Sequence, residues 1–516
     1  MLDRPENPLR PATRRGSAVP YAVAGVLAAA AGTAAGHLVA GLVDPATSPV
    51  LAVGSTLIDL TPTPVKDWAI AHFGTNDKLV LLTSVGVVTL VLAAVAGILS
   101  RRRRAVGVGL IVLLVVLAGA AALTRPTAGP LDALPALATL VVGIAALLLL
   151  LREADRATAP ASTSGTSRRG FLLGAGGVTL GALVLGGVGQ RLGSRTVDPS
   201  KVALPTPQSA ATPLPTGLEK TVPGISSFRT PTASFYRVDT NLTVPQVSTA
   251  GWSLAVDGDV GNPFTLSFDE LLAMPMIERD ITMTCVSNEV GGGYIGAATW
   301  QGVRLTDLLD RAKVGSTADQ ILSTAVDGFT ISTPLDVARD GRDAMVAVAM
   351  NGAPLTDVHG FPARLITPGL YGFVGATKWL TRLTLTTYAA QQAYWTKRQW
   401  ATDAPIKISS RIDTPRGLQS IPAGRTVIGG VAWAQHRGVK GVEVQVDGGD
   451  WQPAKLGPDA GVDYWRQWYL PWDATSGQHT LAVRATDLQG QVQTADRATP
   501  FPSGSSGIQS IVVLVS

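Results

Sequence analysis

One cysteine in 516 residues is the sharpest shortage in this chain. A lone thiol at Cys285 cannot form an internal disulfide, and it supplies at most one ligand of a zinc or iron–sulfur site. No Cys–His spacing suits covalently attached haem, and no flavin fingerprint is present. Charge is scarce too: 15% of residues are charged and 46% hydrophobic, with a mean hydropathy of +0.26. Soluble chains are usually nearer a quarter charged, so part of this one is built for lipid. The formal charge of +5 does not indicate a nucleic-acid partner. Much of the basic excess (Arg14, Arg15, Arg101 to Arg104, Arg168 and Arg169) flanks apolar runs, where arginine sets membrane orientation. At this length two or three structural units are expected.

Residues 1–195 read as an all-α transmembrane bundle. Apolar runs at 19–43, 78–100, 105–124, 133–151 and 171–190 are each close to the ~20 residues that cross a bilayer as a helix. The first is rich in small residues, which let helices approach closely. A shorter piece, 49–60, is interrupted by Asp59 and followed by prolines, and reads as an external loop or re-entrant segment. Arginines cluster at 4, 10, 14 and 15, at 101–104, and at 152, 156, 168 and 169. All three clusters agree with five spans, the N-terminus in the cytoplasm and everything after about residue 195 outside a bacterial plasma membrane. "SRRGFLLGAGG", 167–177, resembles a twin-arginine export signal placed internally, a route that carries folded proteins. Ordinary positive-inside arginines are the alternative, though the Ser, Phe and Leu positions also match.

Residues 196–226 are rich in Pro, Thr and Ala and read as an extended, solvated linker. From 227 to 402 short strand-like runs alternate with helical ones. A short helix is expected from Ser267, and "VRLTDLLDRAKV" has helical spacing at Leu305, Leu308, Leu309 and Ala312. This is an α+β domain. Residues 403–516 carry regularly spaced strands between Gly, Asp and Pro, the pattern of an immunoglobulin-like β-sandwich, with Trp433 and Trp468 as core candidates.

Cys285 has three readings. A buried cysteine commonly serves as a small hydrophobe. A nucleophile would need a histidine base, and this half of the chain has His359, His436 and His479 but no legible third orienting group. The remaining reading is a single thiolate ligand to a soft metal whose other ligands come from a cofactor.

The order of motifs resembles the sulfite oxidase family of molybdopterin-dependent oxidoreductases, in its membrane-anchored bacterial form. Cys285 is followed by Trp300 and "GVRLTDLL", then by "NGAPLTDVHGFPARLITPGLYGFVGATKWL" at 351–380, and preceded by "SFYRVDTNLTVP". The resemblance runs from about 227 to 516 and implies a sulfite-oxidase-type molybdopterin domain followed by an immunoglobulin-like domain. It implies that Cys285 ligates molybdenum and that His359, Arg364 and Lys378 hold the pterin and its phosphate. Tyr236 and Arg237 would line the cofactor, with Thr377 as a further candidate. Arginine forks a phosphate and lysine adds a point charge, which suits that role. Surface ion pairing is the plain alternative for Arg364 and Lys378.

Departures from the family narrow the substrate. Sulfite-oxidising members carry an arginine shortly after the cysteine and a tyrosine before the "MNG" segment; here Val290 and Val348 occupy those positions. A pocket with fewer cations and no such phenol suits oxygen-atom transfer with an S- or N-oxide, on a small molecule or a protein. Electrons would come from a haem or quinone-linked membrane partner. In the membrane half only His37 and His72 could ligate haem b, and structural histidines are the preferred reading. The rival is a membrane-tethered binding protein that keeps this fold without its cofactor and uses the sandwich for contacts.

Overall fold

Small side chains decide how the N-terminal helices meet. In the computed structural model, which describes residues 17–73, 76–158, 164–193 and 198–516, the first helix spans Val19–Val43 and buries Ala24, Gly25, Ala28, Ala31, Gly32 and Ala35. That three-and-four spacing makes a stripe narrow enough for backbone contact. A Cβ on Gly25 would lie 1.9 Å from the Ala93 carbonyl oxygen, and one on Gly97 would lie 2.0 Å from that of Tyr21. Among the described residues, five helices are long and apolar enough to cross a membrane: Val19–Val43, Asp77–Ser100, Arg104–Leu123, Pro130–Ala157 and Arg169–Leu192.

Polar contacts gather at one end of this bundle. The Tyr21 hydroxyl donates to Asp155 at 2.7 Å, Arg104 pairs with the same carboxylate, and Arg101 lies over the Tyr21 ring. The start of the first helix, the 101–104 turn and the 152–156 segment therefore share a side. Arg4, Arg10, Arg14, Arg15 and the Arg168 side chain lie outside the described residues. The 49–60 piece, expected to be a loop or re-entrant segment, is the helix Pro49–Leu60, and Thr63–Phe73 is helical as well. Asp59 does not break it, because Arg125 pairs with that carboxylate at 2.9 Å.

The chain divides into two compact units, 1–195 with 241–243, and 196–240 with 244–516. In the second, a mixed five-stranded sheet runs in the order Phe264–Ser267, Ser253–Gly258, Leu380–Thr386, Gln320–Ala325, Thr330–Pro334. A further sheet orders Met276–Thr284, Ile295–Arg304, Met345–Met350 and Ala353–Pro354, with Arg364–Ile366 also on Met345–Met350. The expected helices form. Ser267 caps Phe268–Leu272 through a reciprocal bond with Glu270, and Leu305–Ala312 buries Leu305, Leu308, Leu309 and Ala312.

Residues beyond 403 form two facing sheets. One contains Ser409–Thr414, Gly424–Trp433, Arg466–Ala474 and Lys455–Leu456. The other contains Ser420–Ile421, Gln509–Val515, Gly477–Asp487, Val439–Val446 and Gln452–Pro453. Ile412, Ile428, Trp468, Leu481, Val483 and Val513 fill the space between them, and Trp433 is buried at the side of the preceding domain.

Residues 198–226 differ from the solvated linker expected. Gln208 N–H donates to the Met276 carbonyl at 2.8 Å, Glu278 N–H donates to Ser209 at 2.8 Å, and Val222 and Ile225 are buried. A proline-rich strand without internal bonds leaves its carbonyls free to dock along a sheet edge, and the apolar residues between the prolines supply the burial.

Candidate active site

Cys285 sits where the strand Met276–Thr284 ends. It opens a loop that closes on the antiparallel neighbour Ile295–Arg304, whose last pairing is Thr284 with Ile295. Its N–H donates to the Tyr294 carbonyl at 2.9 Å, and its sulfur accepts the Ser287 N–H at 3.4 Å. The thiol is 8% exposed, beneath a turn in which Ser287, Glu289 and Gly293 meet solvent. Burial pushes its pKa up, and the Ser287 N–H works against that shift. The bare thiol is therefore protonated, whereas a bound cation would restore the thiolate. Among the described residues, no group of three or more His, Cys, Asp and Glu could hold a metal ion.

Two phenols feel this sulfur. Tyr236 is held protonated by burial and by the proximity of Cys285, and the Arg364 charge opposes this. Burial, with Cys285 adding to it, pushes Tyr371 to about 12.

Behind Tyr236 lies a cluster of cations. Arg364 is 6% exposed, donates from Nη1 to the His359 carbonyl at 3.1 Å, and rests on the Trp300 ring. Its Nε has no hydrogen-bond partner. Burial lowers its pKa to about 10. Lys378 donates to Asp239 at 2.8 Å and to the Val358 carbonyl at 3.2 Å, and burial lowers its pKa to about 8. Arg237 Nε reaches the same Asp239 carboxylate at 2.8 Å. The ring of His359 bonds the Thr232 carbonyl at 3.0 Å; burial, with Arg364, Lys378 and Arg237 nearby, lowers it to about 4. Gly360 lets these parts converge: its φ is +102°, and a Cβ there would meet the Lys378 Cβ at 2.9 Å. Three cations thus face one carboxylate, a surplus that favours an anion.

The structure gathers Cys285, Tyr236, Arg237, His359, Arg364 and Lys378. Thr377 precedes Lys378, but its hydroxyl is engaged by Ser323 at 2.6 Å inside the core. Surface ion pairing does not describe Arg364, which is buried, or Lys378, whose partner Asp239 is also buried. Val348 packs in the sheet core, and Val290 is half-buried on the cysteine loop. Asp239, Tyr371 and Asn288 did not stand out in the sequence, although each falls in or beside a recognisable motif. Asn288 Oδ1 accepts the Tyr294 N–H at 2.8 Å and so shapes the loop. In the helical unit, His37 bonds Ser48 and Gln190, and His72 bonds the Trp68 carbonyl. Both rings are thus engaged by the protein's own groups.

Residues 241–395 match the family model described as "Oxidoreductase molybdopterin binding domain". Human mitochondrial sulfite oxidase is 30% identical over 304 residues, covering 50% of this chain and 55% of that one. The uncharacterized oxidoreductase YuiH of Bacillus subtilis is 37% identical over 135 residues, 26% of this chain and 65% of that one. The sulfane dehydrogenase SoxCD from Paracoccus pantotrophus superposes with a TM-score of 0.49 at 23% identity, over 63% of this chain and 95% of that one. The chain spans about half the length of the curated sulfite oxidases it matches. The matched segment is a molybdopterin-binding oxidoreductase domain, flanked by N-terminal helices and a β-rich C-terminal region, and such a domain implies a molybdenum cofactor. The residues present fit that group. The unpartnered Nε of buried Arg364 and the excess of cations suit a phosphate, and the isolated thiol suits a metal that needs a single protein sulfur.

Proposed function

We propose that this chain is a membrane-anchored, extracytoplasmic molybdopterin-dependent oxidoreductase that carries out two-electron oxygen-atom transfer on an S- or N-oxide. One observation carries the reading: the only thiol is buried within electrostatic reach of Tyr236, which in turn feels the cation of buried Arg364, whose Nε lacks a partner. Bound there, the cofactor supplies a metal centre that exchanges two electrons and an oxo group. The protein's residues do the rest. Cys285 provides the thiolate, steadied by the Ser287 N–H. Arg364 and Lys378 hold the phosphate and Arg237 lines the cofactor, while neutral His359 can donate or accept without adding charge. Tyr236 and Tyr371 keep their protons and can each donate a hydrogen bond to an oxygen near the sulfur.

Substrate choice follows from the charge beside the thiol. Val290 adds no cation to the cysteine loop, and Arg237 is already bound to Asp239. That arrangement favours a neutral oxide over a dianion such as sulfite. Gly293 borders open space on the cysteine loop, which suits a bulky oxide, on a small molecule or a protein. The five apolar helices and the arginines gathered at one end of the bundle support an N-terminus in the cytoplasm. The two facing sheets support an immunoglobulin-like C-terminal domain. Electrons would enter from a haem or quinone-linked membrane partner.

The test is metal analysis of the full chain from a molybdenum-replete, export-competent host. About one molybdenum and one pterin per chain are expected, and Cys285→Ser should remove turnover with artificial electron donors while leaving the melting temperature nearly unchanged. Absence of both metal and pterin would instead favour a binding protein that retains the fold without its chemistry.

A further inference from the structure

The loop that carries Cys285 is poorly equipped to hold itself. It connects two antiparallel strands, is too long for a tight turn, and contains Gly291, Gly292 and Gly293 in succession. Its internal bonds are few. Asn288 N–H donates to the Cys285 carbonyl at 3.0 Å, Gly292 N–H to Glu289 at 2.8 Å, and Tyr294 N–H to the Asn288 side chain at 2.8 Å. Two carbonyls, Asn288 and Gly292, point outward from this frame.

Both are taken up by the C-terminal sandwich. Ser505 Oγ donates to the Asn288 carbonyl at 2.6 Å, and Arg411 Nη1 donates to the Gly292 carbonyl at 2.8 Å. Arg411 cannot swing away, because Nε is bound to Asp413 at 2.6 Å and Nη2 to Ser226 at 2.8 Å. Gly291, with φ +82°, lies against Gln509, and a Cβ there would be 2.7 Å from its amide nitrogen. Gln509 is itself fixed, accepting the Ile412 N–H at 2.6 Å. On the strand side, Gln435 donates to the Thr284 hydroxyl at 3.0 Å, one residue before the thiol.

We propose that the sandwich is a structural part of the active site, and that Arg411 and Ser505 are positioning residues that hold the Cys285 sulfur through its loop. The proposal rests on the reading of Cys285 as the molybdenum ligand, but its first test does not need the metal. Since the chain has one cysteine, a thiol reagent such as dithiobis-nitrobenzoate reports this loop alone. The whole chain, purified in detergent from molybdenum-starved cells, should react slowly at pH 8. Arg411→Ala should speed the reaction about tenfold or more, as expected when a charge-assisted bond no longer opposes loop opening. Ser505→Ala should speed it about threefold or more, and Ser505→Thr, which keeps the hydroxyl, should restore the slow rate. Arg484→Ala, which breaks a sandwich ion pair with Glu443 instead, should leave the rate unchanged. In metal-loaded protein, Arg411→Ala should also shift the Mo(V) paramagnetic resonance, because the sulfur changes its orientation. If Arg411→Ala does not fold, the Ser505 pair decides alone. Wild-type reaction rates in the folded variants would overturn the proposal. Failure of the molybdenum reading looks different: wild-type chain without metal, in which the loop still opens when Arg411 or Ser505 is removed.

Discussion

Arg364 carries a burial cost that its bond to the His359 carbonyl and its contact with Trp300 offset only in part. A buried guanidinium with an unpartnered Nε has lost water without a full set of replacement bonds. Arg364→Met should therefore raise the melting temperature of the cofactor-free chain, or leave it unchanged, while abolishing retention of molybdopterin. A lowered melting temperature with retention intact would show that Arg364 is a structural arginine. Lys378 gives a pH signature. Its pKa in the folded chain is about 8 against an ordinary value of 10.5, with burial the main cause. Between about pH 8 and 10.5 the unfolded chain then binds the extra proton, so this residue makes the cofactor-free fold more stable as pH rises through that window. Below about pH 8 the lysine is charged in both states and its burial penalty is fully present. The pH dependence of the melting temperature should lose this rise in Lys378→Met. Anion retention runs the opposite way, strongest below pH 8 where the ammonium is charged.

Helix contact and sheet edge explain which elements could be read from the sequence. The long apolar helices were legible because apolar length alone defines them: the first run ends where Val19–Val43 ends. Close approach by small residues was legible too, and it makes a sharp prediction. Gly97→Val would drive a side chain into the Tyr21 carbonyl, so the helices must part, at a cost of about 3 kcal/mol or more. Size-exclusion profiles and melting in detergent would register the loss. Ser267 and the 305–312 periodicity marked their helices because capping and burial are local. The docking of 198–226 was not legible, since proline content fixes the backbone conformation and says nothing about what the strip lies against. Pairing across distance failed for the same reason. Asp239 lies two residues from Arg237, yet its bond to Lys378 crosses 139 positions. Arg411 and Ser505 meet the cysteine loop across 119 and 217 positions, with no local pattern to announce them.

Across the whole chain, Arg168 and Arg169, near the start of the helix Ser164–Gly193, allow a direct test of whether the C-terminal unit is exported. Arg168→Lys together with Arg169→Lys preserves charge but not the twin-arginine pattern. Twin-arginine dependence predicts that the 196–516 region then stays inaccessible to protease added to spheroplasts. Normal accessibility would assign those arginines to orientation alone. Such a route requires folding before translocation, and the order of the strands bears on that requirement.

Ser253–Gly258 pairs in parallel with Leu380–Thr386, with Ala255 opposite Arg382. The second strand begins two residues after Lys378, so sheet closure and the arrival of the last cation happen together. A ribosome must make well over a hundred residues between the two partners, and pairing at such separation is slow. Until then the nascent chain has Cys285 but not the complete cationic cluster proposed to hold the phosphate, so on that reading a cofactor met early has little to hold it. The Arg411 and Ser505 contacts arrive later still. On the proposed reading, strand order thus acts as a clock: the proposed metal ligand is translated before the cationic cluster is complete, and the groups proposed to brace it follow both.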